Sequence, residues 1–117
     1  MSEQKDFAMI GDVRIADNVI ASIAAIAISE IDGAELSPGG GDLRDILRIS
    51  RPNRGVKIDF SEEGVTLDIQ LHVRYGLVVA DVARAVQEAV ANAVESMTAL
   101  HVLSVNVSVV GVSPEVK

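Results

Sequence analysis

From Val56 to Arg74 the chain alternates apolar and polar residues in two runs, with Ser61-Glu62-Glu63-Gly64 between them. Val56, Ile58 and Phe60 interleave with Lys57 and Asp59; Val65, Leu67, Ile69, Leu71 and Val73 interleave with Thr66, Asp68, Gln70, His72 and Arg74. A period of two sends successive side chains to opposite faces of a strand, so each run has one apolar and one polar face. Two such runs across a short glycine-containing loop predict an antiparallel hairpin. That hairpin constrains the rest of the chain, because its apolar face needs a cover and its polar face needs water.

Two segments have the period of a helix and can supply the cover. Asp17 reads as an N-cap, and Asn18 to Ile31 follows with Ile20, Ile23, Ala24, Ala27 and Ile31 on one face, ending at Asp32-Gly33. After Tyr75-Gly76, a second helix places Val79, Val82, Val86, Val90, Ala93 and Met97 inward and Asp81, Arg84, Glu88 and Glu95 outward. Its valines are poor helix formers, so it depends on tertiary packing. Val13 and Ile15, beside Asp12 and Arg14, read as a short first strand; Leu103, Val105, Val107 and Val109, alternating with Ser104, Asn106 and Ser108, read as the last. The order β-α-β-β-α-β predicts an α/β (α+β) fold of the split βαβ kind: a one-sided mixed or antiparallel sheet of about four strands, both helices on one face. Arg14, Lys57, Asp59, Thr66, Asp68, Gln70, His72, Arg74, Ser104, Asn106 and Ser108 then cover the other face.

At 117 residues the chain is expected to form one domain. Residues 1–10 read as a flexible arm, 11–112 as the domain and 113–117 as a tail. Within the domain, 34–54 is an irregular Arg-rich insertion that begins with the linker Ser37-Pro38-Gly39-Gly40-Gly41. Aromatics are 3% of the chain, so Val, Ile, Leu and Ala have to fill the core. With no cysteine, disulfides and thiolate metal sites are excluded. A net charge of −7 argues against general nucleic-acid binding, which needs clustered Lys and Arg to neutralise phosphates. The opening residues lack the basic flank and apolar run of a signal peptide. The greasiest stretch, Val19 to Ile28, is about half the length needed to span a bilayer. A cytoplasmic location is expected, with any membrane association supplied by a partner.

Few residues carry a chemical signal. Gly39-Gly40-Gly41 lacks the Lys and Ser or Thr spacing of a phosphate-binding loop and reads as a linker. Asp68, Gln70 and His72, with Lys57 and Asp59 nearby, could form an acid–base pair, but an open sheet face offers no pocket. A small enzyme or ligand binder using that face is the rival to an interaction domain. An RNA-recognition module is weaker still, because Phe7, Phe60 and Tyr75 are the only aromatics and Phe60 points inward. His101 stands alone, without converging metal ligands. No cofactor is expected.

Two features point to binding. Between Asn18 and Ser29 there is no ionisable side chain, and the side of the helix away from its core stripe carries Ala21, Ser22, Ala25 and Ser29, flanked by Val19 and Ile26. A helix facing water normally carries charges there, so this side is expected to meet another protein surface or a second copy of the chain, or else to lie beneath residues 34–54 of its own chain. Arg44, Arg48, Arg51 and Arg54 cluster around Leu43, Ile46 and Leu47 in an otherwise acidic chain, which reads either as a solvated loop with local pairs such as Arg44 with Asp42 or Asp45, or as a docking segment for an acidic partner or anionic surface.

Several stretches resemble the alkaline shock protein family of Gram-positive bacteria. They are Val19-Ile20-Ala21-Ser22-Ile23-Ala24 with Glu30-Ile31-Asp32-Gly33-Ala34, Arg54-Gly55-Val56-Lys57-Ile58, Val73-Arg74-Tyr75-Gly76, and Glu95-Ser96-Met97-Thr98-Ala99-Leu100-His101-Val102 with Val105-Asn106-Val107. The Met97-Thr98-Ala99-Leu100 and Val109-Val110-Gly111-Val112 stretches look closest to members encoded beside acetyl-CoA carboxylase genes. The resemblance implies a non-enzymatic partner or scaffold role in envelope stress or lipid homeostasis, with no catalytic residues. It also implies protein partners, among them a membrane-anchored protein or one related to acetyl-CoA carboxylase.

Overall fold

The computed structural model describes residues 7–37 and 55–114. Its elements are β1 (Phe7–Ile10), β2 (Val13–Ala16), α1 (Asp17–Ser29), β3 (Ala34–Leu36), β4 (Val56–Ser61), β5 (Gly64–Arg74), α2 (Val79–Thr98) and β6 (Val102–Ser113). The expected hairpin is β4–β5, antiparallel from Val56 opposite Ile69 to Ser61 opposite Gly64. β5 is the centre of the main sheet. β6 runs parallel to it along its other edge, from Val65 beside Val102 to Arg74 beside Ser113, and α2 makes the crossover that parallel neighbours require. The sheet is therefore mixed, one of the two forms expected, and both helices lie on its apolar face.

Three local expectations are corrected. Phe7–Ile10, read as part of an arm, is a strand paired with β2 in a separate two-stranded hairpin. The signal was two apolar runs separated by Gly11-Asp12, with Gly11 at φ 60°. The Arg14 guanidinium stacks 4.2 Å over the Phe7 ring in this hairpin, so Arg14 is not on the polar face of the main sheet. Ala34–Leu36, assigned to the irregular insertion, is β3 and pairs antiparallel with Leu71–Val73. Asp17 is the first helical residue, and Ala16 precedes it at the cap without a side-chain hydrogen bond. Its carboxylate still sits where the helix dipole favours negative charge.

β3 and β4 lie end to end on one edge of β5 and meet at Gln70. Ser37 N–H donates to the Gln70 carbonyl and Gln70 N–H donates to the Gly55 carbonyl, both at 2.9 Å. Gly55 has φ 86°, and a side chain there would place Cβ 2.8 Å from the Ser37 carbonyl oxygen, so only glycine fits this junction. The core is aliphatic, as the composition requires. Val65, Leu67, Ile69, Leu71 and Val73 of β5 are buried beneath Ile20, Ala24 and Ile28 of α1 and Val82, Val86, Val90 and Val94 of α2.

Candidate functional site

The seam between α1 and α2 is lined by small residues, Ala27 on one helix and Ala89 and Ala93 on the other. Alanines facing each other leave the surface side of a helix pair unfilled. The result is an apolar groove of about 580 Å3, walled by Ile23, Ile26, Ile31 and Met97 and rimmed by Glu30, Asn92 and Ser96. Its two largest outward side chains are exposed, Ile26 at 62% and Met97 at 71%. Single exposed apolar residues are ordinary, but two framing one apolar depression form a patch of the kind that marks an interaction site.

Met97 corrects the sequence reading, which turned it inward with Val79. The buried stripe of α2 is Val82, Val86, Val90, Val94 and Thr98, while Val79 and Met97 are exposed. Hydropathy favours burying Met over Thr, but Thr98 can be buried because both roles of its hydroxyl are satisfied. Oγ1 donates to the Val94 carbonyl at 2.7 Å and accepts from Leu100 N–H at 3.1 Å.

The uncharged face of α1 is only partly open. Ala21 is 0% exposed and belongs to the core, so it is unavailable to a partner. Its position one residue beyond Ile20 brings it within the arc covered by the rest of the domain, an arc wider than the stripe the sequence predicts. Ser22 and Ala25 are half-buried, and Ile26 and Ser29 are exposed. The Ser29 hydroxyl folds back to the Ile26 carbonyl at 2.7 Å. Of the expected surface, Ile26 is thus the residue the fold places at the groove. Arg44, Leu47, Arg48, Arg51 and Arg54 lie outside the described residues.

The polar sheet face does not bring the expected acid and imidazole together. Asp68 and His72 are four residues apart on one strand, about 13 Å at the usual rise. Asp68 Oδ1 accepts from Asn106 Nδ2 at 2.8 Å and stands opposite Lys57. His72 lies opposite Glu35 on β3 and beside Gly111 on β6. A Cβ at Gly111 would come within 2.5 Å of the His72 ring, so the imidazole rests across that glycine. None of the described His, Asp and Glu residues form a group of three that could hold a metal ion.

The stretch from Glu95 to Val102 is a connector. Ala99 ends α2 in the left-handed region at φ 66°, with its N–H bonded to the Glu95 carbonyl. The Glu95 carboxylate accepts from Val102 N–H at 2.9 Å and lies 3.5 Å from His101 Nδ1. These residues steer the chain from helix into β6, which accounts for their residue types without a ligand.

Among the described residues no helix is long and apolar enough to cross a membrane. Three relatives align over most of this chain. YqhY of Bacillus subtilis (strain 168) is 34% identical over 110 residues, 92% of this chain and 82% of that protein. YloU of the same strain is 32% identical over 106 residues, 87% of this chain and 88% of that protein. Spy1535 of Streptococcus pyogenes serotype M6 (strain ATCC BAA-946 / MGAS10394) is 30% identical over 107 residues, 91% and 82%. No solved structure matches the chain at a significant level. Residues 5–114 match the family of alkaline shock protein 23, described by its cell envelope-related function, and the chain belongs to that family.

Proposed function

We propose that this domain acts by binding rather than catalysis, as a cytoplasmic protein-interaction module in the envelope-related work of its family. Its binding surface is the groove between α1 and α2. The observation that carries this reading is the pair Ile26 and Met97, exposed on either side of an alanine-lined seam. Burying a large aliphatic side chain is worth about 1.5–3 kcal/mol, so a partner that covers both gains a useful part of its affinity there. Glu30 on the rim and the net charge of −7 favour a partner segment with apolar anchors at helical spacing among Lys and Arg residues. A membrane-anchored protein is the partner class that suits an envelope-related role, since no described helix here can span a bilayer. A partner related to acetyl-CoA carboxylase is the other class implied by the resemblance.

The test compares tagged wild type with Ile26→Glu and Met97→Glu in the organism's own cells. Proteins crosslinked to wild type are purified, and their binding to wild type and to each variant is measured by calorimetry. Both substitutions are at exposed sites and should change stability by no more than about 0.5 kcal/mol. Each should weaken binding about tenfold or more, as loss of a central anchor does. His72→Ala and Asp68→Asn should leave it unchanged. Binding indifferent to both groove variants, or abolished by His72→Ala in a folded protein, overturns the reading.

A further inference from the structure

We propose that the free edge of β6 pairs antiparallel with the same edge of a second copy, joining two main sheets into one across a two-fold axis near Asn106 and Val107. Among the described residues β6 is hydrogen-bonded to a strand on one side only, that of β5. It is twelve residues long, and apart from the Val105 carbonyl, which accepts from Gln87 Nε2 of α2 at 2.9 Å, its outer edge among the described residues presents a long row of backbone groups to any strand that can reach them. Edge strands are ordinarily protected by charged side chains or proline. Val102 to Ser113 has neither, in a chain that is 23% charged with a net charge of −7. The nearest acidic side chain in the groove beside this edge is Glu88 of α2, and none is on the strand itself.

The sequence of the strand suits a second copy of itself. Irregularities in the β5–β6 ladder fall near Leu103 and Val110, and between them Ser104 to Val109 is regular. Residues directly opposite each other in an antiparallel pair share a face of the sheet. With the two-fold at Asn106, Ser104 faces Ser108 of the copy and Val105 faces Val107. With it at Val107, Val105 faces Val109 and Asn106 faces Ser108. Both registers set valine against valine on the helix side and small polar residues against each other on the polar side. A slip of one residue would oppose Ser to Val throughout. Alongside this edge runs a shallow groove of about 660 Å3 between α2 and β6, lined in part by Ala91, Val102 and the exposed Leu103. A strand added to β6 would cover it. This surface shares only Asn92 with the lining of the groove between the helices and does not depend on that reading.

Sedimentation equilibrium up to millimolar concentration should show a monomer–dimer equilibrium, with β6 amide protons gaining exchange protection as concentration rises. Ser104→Lys/Ser108→Lys places like charges around the axis on the exposed face and should weaken the dimer about tenfold. Ser104→Glu/Ser108→Glu should do the same, and mixing the two variants should restore association. Ile26→Glu should dimerise like wild type, so failure of the groove reading and failure of this one are distinguishable. Wild type that stays monomeric at millimolar concentration overturns the proposal and leaves a foreign extended segment as the occupant of this edge. Dimers that form without protecting β6, or that ignore both charge variants, overturn it equally; if those variants do not fold, the wild-type exchange map alone decides.

Discussion

Ala99 sits in the left-handed region at φ 66°, where a side chain costs roughly 1–2 kcal/mol and helices usually place glycine. The flanking bonds from Glu95 and Thr98 hold it there. Ala99→Gly removes the strain at the cost of some unfolded-state entropy, and should stabilise the domain by about 1 kcal/mol, a rise in melting temperature of about 4 °C by calorimetry. A lower melting temperature would show that the turn is not held as described. Another single-residue effect is electrostatic. Both terminal nitrogens of the Arg74 guanidinium, Nη1 and Nη2, reach the Asp32 carboxylate at 3.1 Å, joining the end of β5 to the turn after α1. The hydrogen bond and charge of Arg74 hold the Asp32 carboxyl below its usual range. A folded-state value below the unfolded one means that the pair stabilises the fold above the ordinary carboxylate range, near pH 4, and that this contribution fades as pH falls through the lowered value. Urea midpoints of wild type and Asp32→Asn should therefore differ at pH 7 and converge at strongly acidic pH. A gap that persists in acid would mean that Asp32 acts through something other than its charge.

The elements divide by how strongly each is written in the residues. β4, β5 and β6 alternate over six or more residues against a single buried face, and such long repeats leave one reading. The clearest check is Ile69→Asp: Ile69 is 1% exposed at the middle of β5, and an unpaired carboxylate there costs several kcal/mol of a total that is typically 5–15. The variant should lose its cooperative melting transition, and an unchanged transition would refute the register. β3 is three residues long, too short for a pattern, and exists because the end of β5 offers it an edge. α1 was legible as a helix, but the width of its buried arc was not, since covering Ala21 depends on how the rest of the domain meets it. In α2, spacing alone fits 93/97 as well as 94/98, and the choice rests on hydrogen bonds to Thr98 that no periodicity contains. The same ambiguity hid the groove. The sequence places Ile26 at the flank of α1 but Met97 in the core stripe of α2.

At the scale of the whole molecule, the two proposed surfaces share only Asn92, so on these proposals one domain would hold a partner and a copy of itself at once. The junction at Gln70 has a further consequence. The chain leaves the sheet at Ser37 and re-enters it at Gly55, bound to the carbonyl and the N–H of one residue. Whatever lies between starts and finishes at nearly the same point, so its length is decoupled from the geometry of the strands. Closure entropy grows only slowly with length, and doubling the number of residues there with Gly and Ser should cost about 0.6 kcal/mol, readable as a small shift in urea midpoint. A large loss of stability would show that the intervening residues are structural. Tolerance of the lengthening would make this position a socket, where a reporter or a tether could be grafted while the sheet, the helices and both proposed contact surfaces keep their shape.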